Sequence, residues 1–226
     1  PGGGGGRCPG VSNLAQRLNP KIKIIPGAPA GAGWPKSALA AGKVVTVPHI
    51  NTIADGTAVQ TPGDKLFPYL QANVDQVLTV DDSELTLSFL DMAENHKMIV
   101  ENSGLLTVAA LKHLDFQGKK VVSVLSGGNM DVLTMATVLQ NGLMQRDRIF
   151  TITVMLPDKP GQLAVVSNLI AREQGNVIKL DHNVFANVNR AAGVELTITM
   201  ESFGTEHKNR IIQVLREAGY DPVLSR

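Results

Sequence analysis

The stretch from Ile149 to Leu156, reading IFTITVML, alternates Phe150, Ile152 and Val154 with Thr151 and Thr153. A period of two belongs to a strand with one buried face and one wet face. The same period returns from Gly193 to Met200, where Val194, Leu196, Ile198 and Met200 alternate with Glu195, Thr197 and Thr199. Around these strands the spacing is helical. Leu163, Val166, Leu169 and Ile170 share one face of a helix that Gly175 ends, and Ile211, Val214, Leu215 and Ala218 share a face of another around residues 206–218. Val177 to about Phe185 and Tyr220 to Leu224 read as two more strands. The order β-α-β-β-α-β across residues 149–226 is that of a ferredoxin-like unit.

Upstream of Gln145 the pattern differs. Short apolar runs at Ile22–Ile25 and Val74–Val80 alternate with helical segments. Asp81-Asp82-Ser83-Glu84 starts a helix with negative charge at its positive end, and Leu85, Phe89, Leu90 and Met92 follow at helical spacing. A further helix is expected from about Gly104 to His113. Lys120 to Leu125, KVVSVL, reads as a strand buried on both faces of a parallel sheet, with a helix from about Asp131 to Met144 after it. Alternating strands and helices imply an α/β layer with a largely parallel sheet. The charged Arg146-Asp147-Arg148 segment marks the expected boundary, giving domains at 1–145 and 149–226.

Composition excludes several classes. Net charge is +1 over 226 residues, and the chain has one Trp and two Tyr. Scattered cations without a stacking platform give no reason to expect a nucleic-acid partner. No apolar stretch approaches the ~18 residues of a membrane span. Cys8 is the single cysteine, so no internal disulfide can form and a cytoplasmic setting is the default. His49, His96, His113, His182 and His207 lack metal-ligand spacing, so structural or surface roles and no metal site are expected.

Two glycine-rich segments carry the chemistry. Gly2 to Gly6 lead into a helix with Val11, Leu14 and Leu18 on one face. Consecutive backbone N–H groups at a helix N-terminus form an anion site suited to a phosphate. The same run also fits a flexible linker, and the glycines alone do not separate the two. Ser126-Gly127-Gly128-Asn129 sits where a strand would meet a helix, the edge at which α/β sheets bind ligands. Alone, it fits equally a tight turn with Asn129 as the helix cap.

Several stretches occur together and in order: PGGGGG, then NTIADGTAV at 51–59, Pro62-Gly63-Asp64, IVENSG at 99–104 and SGGNMD at 126–131. With them the chain resembles the threonine ammonia-lyase branch of the fold-type II pyridoxal-phosphate enzymes. The part after Arg148, with its Asp158-Lys159-Pro160-Gly161 turn, is similar to an ACT regulatory domain. The resemblance implies that Gly3, Gly4, Gly5 and Gly6 cradle the phosphate of pyridoxal 5'-phosphate. It places Ser126, next to Gly127, against the pyridine nitrogen, where a hydroxyl suits β-elimination better than a carboxylate would. Asp55, Gly56 and Glu101 would line the pocket. L-Threonine or L-serine would be the substrate and a 2-oxo acid with ammonia the products, in isoleucine biosynthesis or threonine catabolism. In the ACT-like part, Gly161, Gln162 and Leu163 with Asn176 and Val177 would hold an amino-acid effector, at an edge shared between copies of a homo-oligomer.

The resemblance also implies what is missing. The Schiff-base lysine of these enzymes lies upstream of the glycine loop, and no lysine here has its Ser-x-Lys context. The chain thus reads as the C-terminal half of such an enzyme, inactive by itself, and its sheet would expose apolar edges. Related enzymes usually carry a hydrophobic residue where Arg7 sits, and many a cation-binding Glu where Ala28 sits. The alternatives are a non-catalytic amino-acid-binding or oligomerisation module, and another type II enzyme such as a serine racemase relative.

Overall fold

The computed structural model describes residues 1–3, 6–183 and 193–225. These fall into two compact units, Pro1–Leu139 and Gln140–Arg226, with the division inside one helix.

The first unit contains α1 (Arg7–Leu18), β1 (Gly27–Pro29), α2 (Trp34–Ala41), α3 (Phe67–Asn73), β2 (Leu78–Val80), α4 (Asp82–Asp91), α5 (Asn102–Ala109) and the start of α6 (Val132–Gln145). The acidic run starts α4 as expected: Asp81 and Glu84 form a capping box, with the Asp81 N–H donating to Glu84 Oε2 at 3.0 Å. Lys97, at φ 56°, ends the π-helical turn that follows α4. The main core gathers Leu78 and Val80 of β2, Leu85 and Phe89 of α4, and Leu105 and Leu106 of α5. A smaller core holds Trp34, Ala38, Phe67 and Leu70.

The largely parallel sheet is reduced to one pair, β1 and β2, in parallel register from Gly27–Leu78 to Pro29–Val80. Ile22–Ile25 is not a strand. Ile24 exchanges hydrogen bonds with Asp75, but regular pairing begins only at Gly27. KVVSVL is not a strand either, and Val122 is 87% exposed. A ladder needs a neighbouring strand, and among the described residues this segment has none. It is tied to α5 instead: the Thr107 hydroxyl donates to the Val124 carbonyl at 3.2 Å and the Ser123 hydroxyl to the Thr107 carbonyl at 3.3 Å. Val121, Val122 and Val124, with Val11 and Ile22, line or border an open apolar cleft.

The second unit follows its sequence pattern closely. β3 (Ile149–Leu156), α7 (Gln162–Arg172), β4 (Asn176–Asn183), β5 (Val194–Glu201), α8 (Thr205–Glu217) and β6 (Val223–Ser225) form a four-stranded sheet in the order β4-β5-β3-β6. All three neighbouring pairs are antiparallel. This is the expected ferredoxin-like topology; Phe185, the expected end of the second strand, lies outside the described residues. Phe150, Ile152, Val154, Leu196, Ile198 and Met200 meet Val166, Ile170, Ile211 and Leu215 in the core. The alternate threonines pair on the other face, Thr151 with Thr199 at 2.9 Å and Thr153 with Thr197 at 3.3 Å. β4 is an edge strand with every residue exposed.

Asp147 fastens α8 to the start of β3. Its carboxylate accepts from Lys208 Nζ at 2.7 Å and from the Thr205 hydroxyl at 2.8 Å, and its carbonyl accepts from the Ser202 hydroxyl. Burial alone would push this carboxyl up, but the hydrogen bonds from Lys208 and Thr205 and the charge of Lys208 outweigh it and hold the group below its ordinary value. A carboxyl lowered in the folded state stabilises it above the unfolded value of about 4 and loses that contribution as pH falls through the folded one. Thermal melts should therefore drop as pH falls below about 4, and Asp147→Asn should flatten that part of the pH profile.

Candidate cofactor site

The site is assembled by close backbone contacts at glycines. Asp82, at the start of α4, accepts from the Thr52 hydroxyl at 2.7 Å and from the Ile53 N–H at 3.0 Å. This anchors the NTIADGT segment, whose Asp55–Thr57 form a short 3-10 turn with the Thr57 hydroxyl bonded back to the Ala54 carbonyl. Gly3 lies on that turn: a Cβ at Gly3 would stand 3.1 Å from the Gly56 carbonyl oxygen. Gly2 donates its N–H to the Gly27 carbonyl of β1 at 2.8 Å. A Cβ at Gly56 would come within 2.9 Å of Ser103 Oγ and 3.3 Å of Glu101 Oε1.

Glu101 joins this cluster to the second glycine segment. Its Oε2 accepts the Asn129 N–H at 3.1 Å. Its Oε1 occupies the place a Cβ on Gly127 would take, 1.9 Å from it, and Gly127 has φ +94°. Gly104, in the first turn of α5, lets the Ser126 carbonyl oxygen approach to 2.2 Å from where its own Cβ would be. The Ser126 hydroxyl oxygen accepts from Arg7 Nη1 at 2.6 Å. Beside Glu101, Asn102 donates from Nδ2 to the Ile53 carbonyl at 3.0 Å, while its buried Oδ1 has no hydrogen-bond partner.

The expected residues thus divide. Gly3, Gly56, Glu101, Ser126 and Gly127 belong to one contiguous cluster; Asp55 sits exposed on the same turn. Gly4 and Gly5 lie outside the described residues. Gly6 is the residue before α1 and has open space where a Cβ would project. Asn129 is not the cap of α6. Asp131 is, accepting from the Leu133 and Thr134 N–H groups at 3.0 and 2.9 Å, because α6 begins at Val132 and Asp131 is the residue before it. The Thr134 hydrogen bonds hold the exposed Asp131 carboxyl below its ordinary value. Sequence reasoning missed three participants: Arg7, Asp82 and Asn102. Arg7 left a signal as a charge where a hydrophobic residue was expected; Asn102 stood within the IVENSG motif and Asp82 within the acidic run that starts α4, each without a sign of its partner.

Pyridoxal phosphate fits what is present. The first turn of α1 has no acidic residue and the space at Gly6 is open, so a phosphate there would meet N–H donors that no carboxylate opposes. Ser126 offers one hydroxyl for a ring nitrogen, and the Asn102 Oδ1 acceptor remains available to a donor. Among the described residues no group of three or more His, Cys, Asp or Glu comes together as a metal site, and no helix is long and apolar enough to cross a membrane.

In the second unit Gly161 precedes α7 in the left-handed region, φ +89°, and Gln162 accepts from the Tyr220 hydroxyl at 3.0 Å. Leu163 packs against the core. Asn176 donates from Nδ2 to Glu201 Oε2 at 2.8 Å. The register separates these positions. Asn176 and Ile149 both pair with Glu201, whereas Leu156, which leads into the Gly161 turn, pairs with Val194. Within one chain, Gly161–Leu163 and Asn176–Val177 stand at opposite ends of the sheet.

A glycine run before a helix, a hydroxyl on a second glycine segment and a carboxylate between them make up a candidate ligand site of an α/β protein. The chain belongs to the family described as pyridoxal-phosphate dependent enzyme, whose profile matches residues 1–127. It is 35% identical to the L-threonine ammonia-lyase of Geobacter sulfurreducens, over 97% of this chain and 55% of that protein. It is 32% identical to the L-threonine ammonia-lyase of Thermotoga maritima, over 98% and 55%. Among solved structures, maize serine racemase matches with a TM-score of 0.55 at 34% identity, over 61% of this chain and 45% of that one. The chain spans about half the length of the curated relatives it matches.

Proposed function

We propose that this chain is the cofactor-loop portion, the C-terminal half, of a threonine or serine ammonia-lyase, followed by an ACT regulatory domain. The observation that carries the reading is the cluster of Gly3, Gly56, Glu101, Ser126 and Gly127, built from segments far apart in sequence. Gly3 to Gly6 and the start of α1 bind the phosphate. Ser126 orients the ring through its nitrogen. Asp55, Gly56, Glu101 and Asn102 border the substrate side. Bound pyridoxal phosphate would supply the electron sink for proton loss at Cα and departure of the β-hydroxyl as water, and hydrolysis by water of the imine so released would give the 2-oxo acid and ammonia. No lysine of residues 1–226 stands in the motif of the Schiff-base lysine, so these residues alone hold the cofactor without covalent attachment and do not turn over threonine. An ammonia-lyase is preferred to a racemase because the two threonine ammonia-lyases match almost the entire chain.

The test uses the open space at Gly6. An aspartate there meets no steric obstacle and places a carboxylate beside the phosphate donors. Titration of the purified chain with pyridoxal phosphate should show saturable binding that Gly6→Asp weakens at least tenfold at an unchanged melting temperature. No binding by the parent chain, or equal binding by both, would overturn the reading.

Regulation is read from the second unit. β4 exposes Val177, Ile178 and Leu180 on an edge that has no further strand among the described residues. Antiparallel pairing with β4 of a second copy would bring Asn176 and Val177 of one chain to the end that holds Gly161–Leu163 of the other, forming an amino-acid effector site. Isoleucine, valine, threonine or serine should then shift the melting temperature of a dimer; a monomeric chain indifferent to all four would refute this.

A further inference from the structure

We propose that Arg7 is a positioning residue that fixes the direction of the Ser126 hydroxyl and so keeps the ring nitrogen of a bound pyridoxal phosphate unprotonated. This rests on the cofactor reading above and adds to it a residue that the glycine motifs do not contain.

The argument starts from hydrogen-bond roles. A guanidinium has only donors, so at 2.6 Å from Arg7 Nη1 the Ser126 oxygen must be the acceptor. One lone pair is thereby used, and the hydroxyl proton has to point elsewhere. The backbone that carries this serine is held in place. Its carbonyl oxygen is seated against Gly104, and the next residue is held by the Glu101 N–H donating to the Gly127 carbonyl at 3.4 Å. With backbone and oxygen both pinned, Ser126 presents an outward O–H donor.

A neutral pyridine nitrogen is an acceptor and takes that proton. A protonated one is a donor and would have to share the same oxygen with the guanidinium, placing two cations on either side of one atom. Like charges at such separation disfavour the charged form. The other titratable groups of the cluster include Asp55, exposed on the Gly56 turn, as well as Glu101 and Cys8. Glu101 opposes Arg7, but its Oε2 is engaged by the Asn129 N–H and its Oε1 lies against Gly127. Cys8, next to Arg7, has its thiol pushed up by burial. The closest charge to the Ser126 hydroxyl is that of Arg7.

The test is the nitrogen-15 resonance of ring-labelled pyridoxal phosphate bound to the purified chain, followed between pH 5.5 and pH 9. Arg7 is exposed, so Arg7→Gln removes the charge without opening a core. The expected result is a ring nitrogen that protonates at least one pH unit higher in Arg7→Gln than in the parent chain, a tenfold change in the equilibrium, with Arg7→Lys closer to the parent. Circular dichroism and melting temperature should be the same for all three. Bound cofactor with the same titration in the parent and Arg7→Gln, or with a protonated nitrogen in the parent at pH 7, overturns the role of Arg7 and leaves the cofactor site standing. No bound resonance in any of the three overturns the cofactor reading and this inference with it.

Discussion

Replacing Gly104 by alanine should lower stability by about 1–3 kcal/mol and weaken pyridoxal phosphate binding at least tenfold. The added methyl would stand 2.2 Å from the Ser126 carbonyl oxygen and 2.8 Å from Val100 Cγ1. The first of these obstacles is backbone, so rotating a side chain does not relieve it. Alanine gains up to about 1 kcal/mol of helix propensity over glycine, which offsets only part of the strain. Relief comes by moving the Ser126–Gly127 segment off α5, and that displaces the hydroxyl from Arg7 and Gly127 from Glu101. Gly128→Ala is the control, since nothing lies within 4 Å of a Cβ there. Urea titration and cofactor titration of both variants check the result. A Gly104→Ala chain that binds like the parent would mean that Ser126 is not placed by this contact.

Ile198→Ala should have the larger effect on the second unit, about 2–5 kcal/mol. Ile198 is fully buried in β5, and its neighbours in register are Ile152 of β3 and Leu180 of β4. Truncation leaves a cavity that the flanking ladders prevent from closing. Against a net stability of 5–15 kcal/mol this is a large fraction. Hydrogen exchange of the β3 and β5 ladder amides should accelerate by a factor of about 30 or more. Thr197→Ala, one residue away on the other face, removes a single hydroxyl pair and should change exchange far less.

The contrast between Ile198 and Thr197 shows why the second unit was legible in the sequence. In an antiparallel sheet with one covered face, the side-chain period states directly which residues are buried. Strands β3 and β5 and helices α7 and α8 therefore appeared close to where their patterns put them. KVVSVL failed for the complementary reason. Its apolar content suits a strand, but strand formation depends on a partner that no local pattern reveals, and α5 supplied side-chain and carbonyl bonds instead. The helix cap lies at Asp131 and not Asn129 because α6 begins at Val132, while Glu101, distant in sequence, engages the Asn129 N–H.

The candidate site divides in the same way. The glycine segments stood out because consecutive glycines signal close approach whatever approaches them. Their mutual arrangement did not. Arg7 and Ser126 are separated by 119 positions and meet in one hydrogen bond. Gly161 and Asn176 are near in sequence, yet the register of β4 on β5 sends them to opposite ends of the sheet. Sequence alone determined the alternation of the strands, the helical faces and the positions of the glycine-rich segments, since these are local properties of backbone and side chain. Tertiary structure decided which segments fill those glycine positions, with Glu101 against Gly127, Ser126 against Gly104 and Arg7 on Ser126. Contacts between remote segments follow from the path of the whole chain, and no short window of residues contains that path.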